Sequence, residues 1–177
     1  PNPLVAGKGV AQLRAAGIEV EIGLLKNEME RQNEAFLVRI RKHRPFVTLK
    51  AALTLDGFLA RADGSSKWIT SPQSRELVHQ WRWQHDAILV GENTVRQDDP
   101  MLNARVAEAQ KQPVRLVFSP YGNVPLQSKV VKTASEQPTW LLVAQPGFAA
   151  AQAKFGQSAV RIFGLPLEDG MFDLAAF

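Results

Sequence analysis

Polar side chains that could do chemistry interrupt the apolar segments in the middle of the chain. Lys50 stands within the apolar run at residues 46–54, and Asp56 and Gly57 close that run. The loop at residues 64–68 then places two serine hydroxyls beside an indole. A lysine within an apolar strand is costly to desolvate, so it either points outward at an edge or meets an anion. Polar groups at the ends of apolar strands are what a small-molecule site requires.

Arginines and carboxylates follow this stretch. Arg75 and Arg82 stand seven residues apart on one side of a predicted helix, where they could bind a phosphate or simply be solvated. Asp98 and Asp99 precede a proline in a tight turn. Such a pair can do acid–base work or bind a metal, although Asp-Asp-Pro is also a common loop. The junction at residues 91–94 offers free amide groups to a cofactor phosphate or ribose.

The chain has no cysteine, so it contains no disulfide, no thiolate metal site and no cysteine nucleophile. Its three histidines, His43, His79 and His85, show no metal-ligand spacing. We therefore predict no metal in this part of the protein.

Composition narrows the classes of partner. Hydrophobic residues make up 45% and charged residues 21% of the chain, which is typical of a soluble globular protein. No apolar run is long enough to span a membrane and no signal segment opens the chain, which favours the cytoplasm. The net charge of +4 is compatible with an anionic partner. The basic cluster at residues 39–44 closes a predicted helix, so a phosphorylated small molecule is favoured over nucleic acid.

The predicted elements that position these residues alternate between strands and helices. This alternation indicates an α/β fold with a mostly parallel sheet flanked by helices. Pro45 marks a predicted boundary between domains at 1–44 and 45–177. The predicted strands are Ile18–Ile22, Phe46–Thr54, Ala87–Val90, Val114–Phe118, Trp140–Val143 and Val160–Phe163. The predicted helices are Val10–Ala16, Asn27–Arg41, Pro72–Gln84, a turn at Thr94–Arg96, Phe148–Lys154 and a segment from Asp173 onward. Because the chain opens without methionine and closes on what looks like an unfinished helix, we expect a piece of a longer protein.

Three sequence blocks in this order resemble the bifunctional pyrimidine deaminase/reductase family of riboflavin biosynthesis. They are LKAALTLDG at residues 49–57, the S-x-W-I-T-S run at residues 66–71, and NTVRQDDPMLNAR at residues 93–105. Residues 1–44 look like the α/β tail of the family's cytidine-deaminase-like domain. The resemblance implies that residues 45–177 form most of a reductase domain with a dihydrofolate-reductase-like fold.

The resemblance also implies a reaction and a set of site residues. The enzyme would use NADPH to reduce the ribosyl group of 5-amino-6-(5-phosphoribosylamino)uracil to the ribityl group. Lys50 matches the family's strand lysine near the reacting sugar. The positions that match substrate contacts are Ser66, Arg82, Leu102 and Arg105. The positions that match NADP contacts are Ala52, Trp68, Thr94, Asp98 and, within one residue, Ser119.

The family's deaminase site, a zinc held by one His and two Cys with a glutamate proton shuttle, is not in this segment, nor is the family's C-terminal glycine-rich stretch. Zinc and deamination are therefore expected only of the missing half. Two other interpretations stay open: a reductase of the same fold that acts on a pterin-like heterocycle, and a non-catalytic nucleotide-binding remnant. A homo-oligomer is compatible with the sequence, which does not fix the oligomeric state.

Overall fold

The structure, a computed structural model, describes residues 5–66, 68–107 and 109–173. The chain divides into two compact units, Pro1–Leu59 and Ala60–Phe177. The domain boundary after residue 44 stays a prediction. None of the helices in the described ranges is long and apolar enough to cross a membrane.

The described part of the first unit is helical. Its helices are α1 (Lys8–Ala15), α2 (Lys26–Gln32) and α3 (Glu34–Lys42). The predicted helix Asn27–Arg41 is thus two helices, which meet at Asn33. The side-chain amide of Asn33 donates to the Met29 carbonyl at 2.9 Å, the competition with backbone bonding that makes asparagine a poor helix-interior residue. Arg41 and Glu30 form an ion pair at 3.1 Å that links α3 to α2.

Two strand predictions in the first unit are wrong. Residues 18–22 and 46–54 have no strand assignment. Most apolar side chains of the second segment are exposed, with Leu49 at 92% of its full accessibility. Apolar, β-branched composition indicates a surface that suits a sheet, but a strand exists only through hydrogen bonds to a neighbouring strand. Lys50 is consequently an exposed residue of an irregular segment and does not lie within a strand.

The second unit alternates helices and strands, as predicted. Its elements are α4 (Pro72–Gln84), β1 (Ala87–Gly91), α5 (Glu92–Asp98), β2 (Val114–Phe118), α6 (Lys129–Lys132), β3 (Thr139–Ala144), a 3₁₀ turn (Gln145–Gly147), α7 (Phe148–Phe155), β4 (Arg161–Leu165), β5 (Leu167–Glu168) and β6 (Met171–Phe172). Helix α4 has its predicted start, since Ser71 Oγ accepts from the Ser74 amide at 3.1 Å and Pro72 occupies the first turn. Of the helix predicted from Asp173 onward, residues 174–177 lie outside the described residues.

Strands β1 to β4 form one parallel sheet in the order β1-β2-β3-β4, and β5 and β6 form a separate antiparallel pair. Side chains on both faces of the central strands are buried. Val117 and Leu141 pack with Val95 of α5 and Phe155 of α7 on one face. On the other face Leu116 and Leu142 pack with Leu165, and Phe172 packs against this cluster. The parallel sheet with its flanking helices confirms the predicted α/β class. Burial on both faces explains why the sequences of these strands are nearly continuous apolar runs.

Candidate active site

Helix α4 and the segment at residues 101–105 bring two arginines and a histidine together. Arg82 Nη1 donates to the Asn103 carbonyl at 3.2 Å. The Nδ1 atom of His79 lies 3.2 Å from the same carbonyl. Arg105 places its Nε 3.1 Å and its Nη2 2.9 Å from His79 Nε2. The structure therefore brings together Arg82 and Arg105, two residues that the resemblance assigns to the substrate.

Within the described ranges, this cluster carries positive charge that no ion pair compensates. None of the carboxylates in the described ranges forms an ion pair with Arg82 or Arg105. Burial lowers the pKa of Arg82, and the charge of Arg105 lowers it further. A guanidinium still keeps its proton at neutral pH. Two adjacent guanidinium groups without a carboxylate partner are suited to bind a phosphate or another multivalent anion.

Burial also lowers the pKa of His79, with smaller contributions from the charges of Arg82 and Arg105. The neutral imidazole is thereby favoured in the cluster. A neutral ring can accept a hydrogen bond from a guanidinium, whereas an imidazolium cannot. His79 was not predicted as a site residue. Its position one helical turn before Arg82 was the available signal, because residues three apart share a helix face.

Buried or half-buried side chains hold the segment at residues 101–105 in place. Gln112 binds both backbone groups of Ala104: its Oε1 accepts from the amide at 2.8 Å and its Nε2 donates to the carbonyl at 3.0 Å. Leu102 is 4% exposed and has φ of 52°, a left-handed conformation that is uncommon outside glycine. Leu102, predicted to contact substrate, is thus a core side chain that anchors the segment bearing Arg105.

Arg115 of β2 supports the same segment. It is fully buried, and burial lowers its pKa to about 10. Its guanidinium donates to the Met101 carbonyl, to the hydroxyl and carbonyl of Thr133, and to the Gln137 carbonyl at 2.6 Å. An arginine whose hydrogen bonds all go to carbonyls and one hydroxyl serves to tie loops together. Sequence reasoning missed it because one charged residue in an apolar strand also fits an outward-facing position.

The carboxyl ends of β1 and β2 form a second polar locus. Gly91, the last residue of β1, is in register with Phe118, the last residue of β2. The residues that follow, Glu92 and Ser119, are therefore neighbours, and the Ser119 hydroxyl donates to the Glu92 carboxylate. Ser119 has no exposed surface. Such a strand-end edge is where open parallel sheets bind ligands.

Helix α5 carries two further predicted cofactor residues. Thr94 and Asp98 are both exposed, Thr94 in the first turn and Asp98 at the last position. The neighbouring Asp99 has a structural role: its Oδ1 accepts from the Lys129 amide at 2.8 Å, at the start of α6. Asp99 is thus bound to the backbone of α6, whereas Asp98 is exposed. Across the described ranges, no group of three or more acidic or histidine side chains could hold a metal ion.

The loop before α4 presents an aromatic ring. Trp68 is 72% exposed, and the Arg75 guanidinium lies 4.2 Å from the centre of its ring. Arg75 also donates to the Thr70 carbonyl at 2.6 Å. Arg75 therefore supports Trp68, and it is Arg105, not Arg75, that lies beside Arg82. Ser66 is exposed in the same loop.

The remaining predicted residues, Lys50 and Ala52, belong to the first unit. Lys50 is exposed and Ala52 is half-buried. Both precede a tight turn in which the Thr54 hydroxyl lies 2.5 Å from the Asp56 carboxylate. Gly57 has φ of 88° in that turn, a conformation that favours glycine. The predicted Asp-Gly turn is confirmed.

Comparison with known proteins places these features in a family. The family model described as the RibD C-terminal domain matches residues 45–175. The riboflavin biosynthesis protein RibD of Aquifex aeolicus is 48% identical over 154 residues, which cover 87% of this chain and 43% of that protein. The chain thus spans less than half the length of this curated relative.

Solved structures agree with this match. Acinetobacter baumannii RibD has a TM-score of 0.77 at 35% identity and covers 94% of this chain and 46% of its own. A diaminohydroxyphosphoribosylaminopyrimidine deaminase/5-amino-6-(5-phosphoribosylamino)uracil reductase from Thermotoga maritima has a TM-score of 0.72 at 32% identity, covering 93% of this chain and 51% of that one. The expected dihydrofolate-reductase-like fold is confirmed by these neighbours.

Proposed function

The chain belongs to the RibD C-terminal domain family, and from this premise we propose that it reduces the ribosyl group of 5-amino-6-(5-phosphoribosylamino)uracil to the ribityl group with NADPH. The similar protein from Thermotoga maritima is named as a reductase of this uracil compound. The nicotinamide cofactor follows from the reductase family, and the preference for NADPH over NADH is part of the proposal. The cytoplasm is the proposed location.

The observation that carries the proposal is the juxtaposition of Arg82 and Arg105. Both guanidinium groups converge on the segment around Asn103, and no carboxylate of the described ranges neutralises them. The proposed substrate carries a phosphate at the end of its sugar chain. Two guanidinium groups bind such a phosphate through charge-assisted hydrogen bonds and so fix the position of the ribosyl group. Ser66 and Leu102 complete the proposed substrate contacts, Leu102 through its backbone because its side chain is buried.

The residues proposed to contact the cofactor fit a nicotinamide dinucleotide in their chemistry. The exposed indole of Trp68 offers a stacking surface. Thr94 offers an exposed hydroxyl on α5. Ser119 belongs to the proposed set by the family resemblance, and its buried hydroxyl donates to Glu92. Hydroxyl groups suit ribose and phosphate oxygens. Ala52 and Asp98 complete the proposed set of cofactor contacts.

In the proposed mechanism the bound cofactor supplies the hydride. The protein's own residues place the sugar and stabilise charge. Lys50 donates a proton or a hydrogen bond to the sugar oxygen at the reacting carbon, since its ammonium group is a flexible donor. Asp98 orients the cofactor or its ribose. Arg82 and Arg105 hold the phosphate and so limit the positions that the reacting carbon can take.

A full-length relative would have a second activity elsewhere in its chain. We propose that the complete protein also deaminates the preceding pyrimidine intermediate at a zinc site. The chain described here has no cysteine for such a site. Zinc and hydrolytic chemistry are therefore assigned to the part that lies outside this sequence.

Product analysis tests the proposed function. The protein is incubated with NADPH and the phosphoribosylaminouracil, and the product is identified by mass spectrometry, with a pterin substrate in a parallel reaction. A ribityl product that gains two hydrogen atoms supports the proposal. Reduction of the pterin alone would indicate a reductase that acts on a pterin-like heterocycle. Cofactor binding without either product would indicate a non-catalytic nucleotide-binding remnant.

A further inference from the structure

His79 is the uncharged member of the arginine cluster, and both of its ring nitrogens are engaged. Its Nε2 lies 3.1 Å from Arg105 Nε and 2.9 Å from Arg105 Nη2. Its Nδ1 lies 3.2 Å from the Asn103 carbonyl. These contacts cross 24 to 26 residues of sequence, so they join α4 to the segment at residues 101–105.

The direction of these hydrogen bonds follows from the partners. A guanidinium can only donate, so Nε2 must present its lone pair to Arg105. A carbonyl can only accept, so Nδ1 must carry the proton and donate to Asn103. The Arg105 amide, 3.3 Å from Nδ1, then has no lone pair to bind there. Only the neutral Nδ1–H tautomer satisfies the contacts with the Asn103 carbonyl and the Arg105 guanidinium together.

We propose that His79 is a positioning residue that holds the Arg105 guanidinium in place for the phosphate of the substrate. The proposal rests on the proposed function only in that Arg105 binds that phosphate. Its geometric part stands alone: the Asn103 carbonyl fixes the tautomer, and the tautomer fixes Arg105. The hydrogen bond at one nitrogen of an imidazole sets whether the other nitrogen donates or accepts.

Direct contact of His79 with the phosphate does not fit the geometry. A ring nitrogen would need a free N–H to bind the anion, and the single N–H of the neutral ring donates to Asn103. His79 therefore acts through Arg105. Arg82 keeps its own contact with the Asn103 carbonyl and does not depend on the imidazole.

Affinity for inorganic phosphate, measured by calorimetry on the full chain, tests the role. His79→Gln keeps an oxygen acceptor for Arg105, whereas His79→Leu removes the acceptor. We expect His79→Leu to weaken phosphate binding about tenfold or more, the effect of losing about one charge-assisted hydrogen bond. His79→Gln should stay within about threefold of the wild type, since the bond is retained.

The double variant His79→Leu/Arg105→Ala separates positioning from general damage. If His79 acts through Arg105, His79→Leu should have no further effect once Arg105 is alanine. A tenfold loss that persists in the Arg105→Ala background would overturn the role, as would wild-type affinity in His79→Leu or no phosphate binding by the wild type. Phosphate binding that follows the expected pattern without turnover of the pyrimidine would support the role and contradict the proposed function.

The tautomer itself is measured on the wild-type protein, and a variant serves only to assign the signals. A long-range proton–nitrogen NMR spectrum of histidine-labelled protein distinguishes the two neutral forms, and the signals of His79 are identified by their loss in His79→Gln. The expected result is the Nδ1–H form at neutral pH. The Nε2–H form or an imidazolium would overturn the proposal, because in neither form can Nε2 accept a hydrogen bond from the Arg105 guanidinium.

Discussion

Gln112 binds Ala104 through both backbone groups, accepting from its amide at 2.8 Å and donating to its carbonyl at 3.0 Å. The side-chain amide of Gln112 thus pairs with both backbone groups of one residue, as a neighbouring strand does in a sheet. Because Arg105 is the next residue, this pair of hydrogen bonds connects the stability of the second unit to the position of a proposed substrate ligand.

Replacement of Gln112 by alanine should therefore affect stability and substrate binding together. The loss of two hydrogen bonds to the backbone of Ala104, a buried residue, should lower the free energy of unfolding by about 1–3 kcal/mol. The KM for the phosphorylated substrate should rise more than kcat falls, because the position of Arg105 is loosened. Urea denaturation and steady-state kinetics measure the two effects. Gln110→Ala, at an exposed position two residues earlier, is the matched control and should change neither.

The stability of the protein should depend on pH through His79. Burial and then the charges of Arg82 and Arg105 lower its pKa in the folded state, so the unfolded chain binds the proton more readily. Stability therefore rises with pH in the interval between the two pKa values. The contribution of His79 should be complete above about pH 6.5, the unfolded value, and should be lost as the pH falls through the folded pKa.

Thermal unfolding between about pH 7.5 and pH 5 measures this contribution in the wild type and in His79→Gln. The variant should show a smaller drop in melting temperature over this interval. Hydrogen bonds from Ser65 and Lys111 lower the pKa values of the Asp63 and Asp86 carboxyls, so these two groups titrate below the interval and do not contribute here. Identical pH profiles of the two proteins would refute the assignment.

Lys50→Ala should abolish turnover and leave folding intact. Lys50 is exposed in an irregular segment, so its removal leaves no cavity and no buried partner. A loss of kcat with unchanged melting temperature is the expected result, and Lys42→Ala, at the exposed end of α3, is the control. Near-normal kcat in Lys50→Ala would end the proposed catalytic role.

Trp68 should report cofactor binding. Its ring is 72% exposed and lies against the Arg75 guanidinium, so a nicotinamide or adenine ring has access to one face of the indole. Tryptophan fluorescence should change saturably on titration with NADPH and much less with NADH. Trp68→Ala should weaken NADPH binding by about 1–3 kcal/mol, the usual contribution of a base stacked on an aromatic ring. Trp83→Phe, on α4, should bind as the wild type does; equal affinity in Trp68→Ala would remove Trp68 from the cofactor site.

The sheet and helices of the second unit were predictable because local signals agreed there with the fold. The pattern Ser71–Pro72 gave the start of α4 to the residue, and the apolar runs gave the ends of β1 to β4 to within two residues. The first unit shows the limit of such signals. Residues 46–54 have the composition of a strand, yet pairing depends on a partner that composition does not specify.

The candidate site also contains residues that the sequence predicted and residues that it did not. Arg82 and Arg105 were predicted through the family resemblance, and the structure brings them together. His79, Gln112 and Arg115 were not predicted as supports, because their roles depend on contacts between residues 8 to 26 positions apart. A single sequence reveals residue types at an element's end. It does not reveal which backbone carbonyl lies opposite a buried guanidinium.

The most direct test of the central claim compares two substrates in the wild-type protein: 5-amino-6-(5-phosphoribosylamino)uracil and the same compound without its phosphate. With NADPH, kcat/KM should be higher for the phosphorylated compound by about 100-fold, since two guanidinium contacts are worth about 3 kcal/mol together. The preference should disappear in Arg82→Met/Arg105→Met and persist in Arg39→Met, an exposed arginine of α3. No oxidation of NADPH with either compound, or equal kcat/KM for both, would contradict the account.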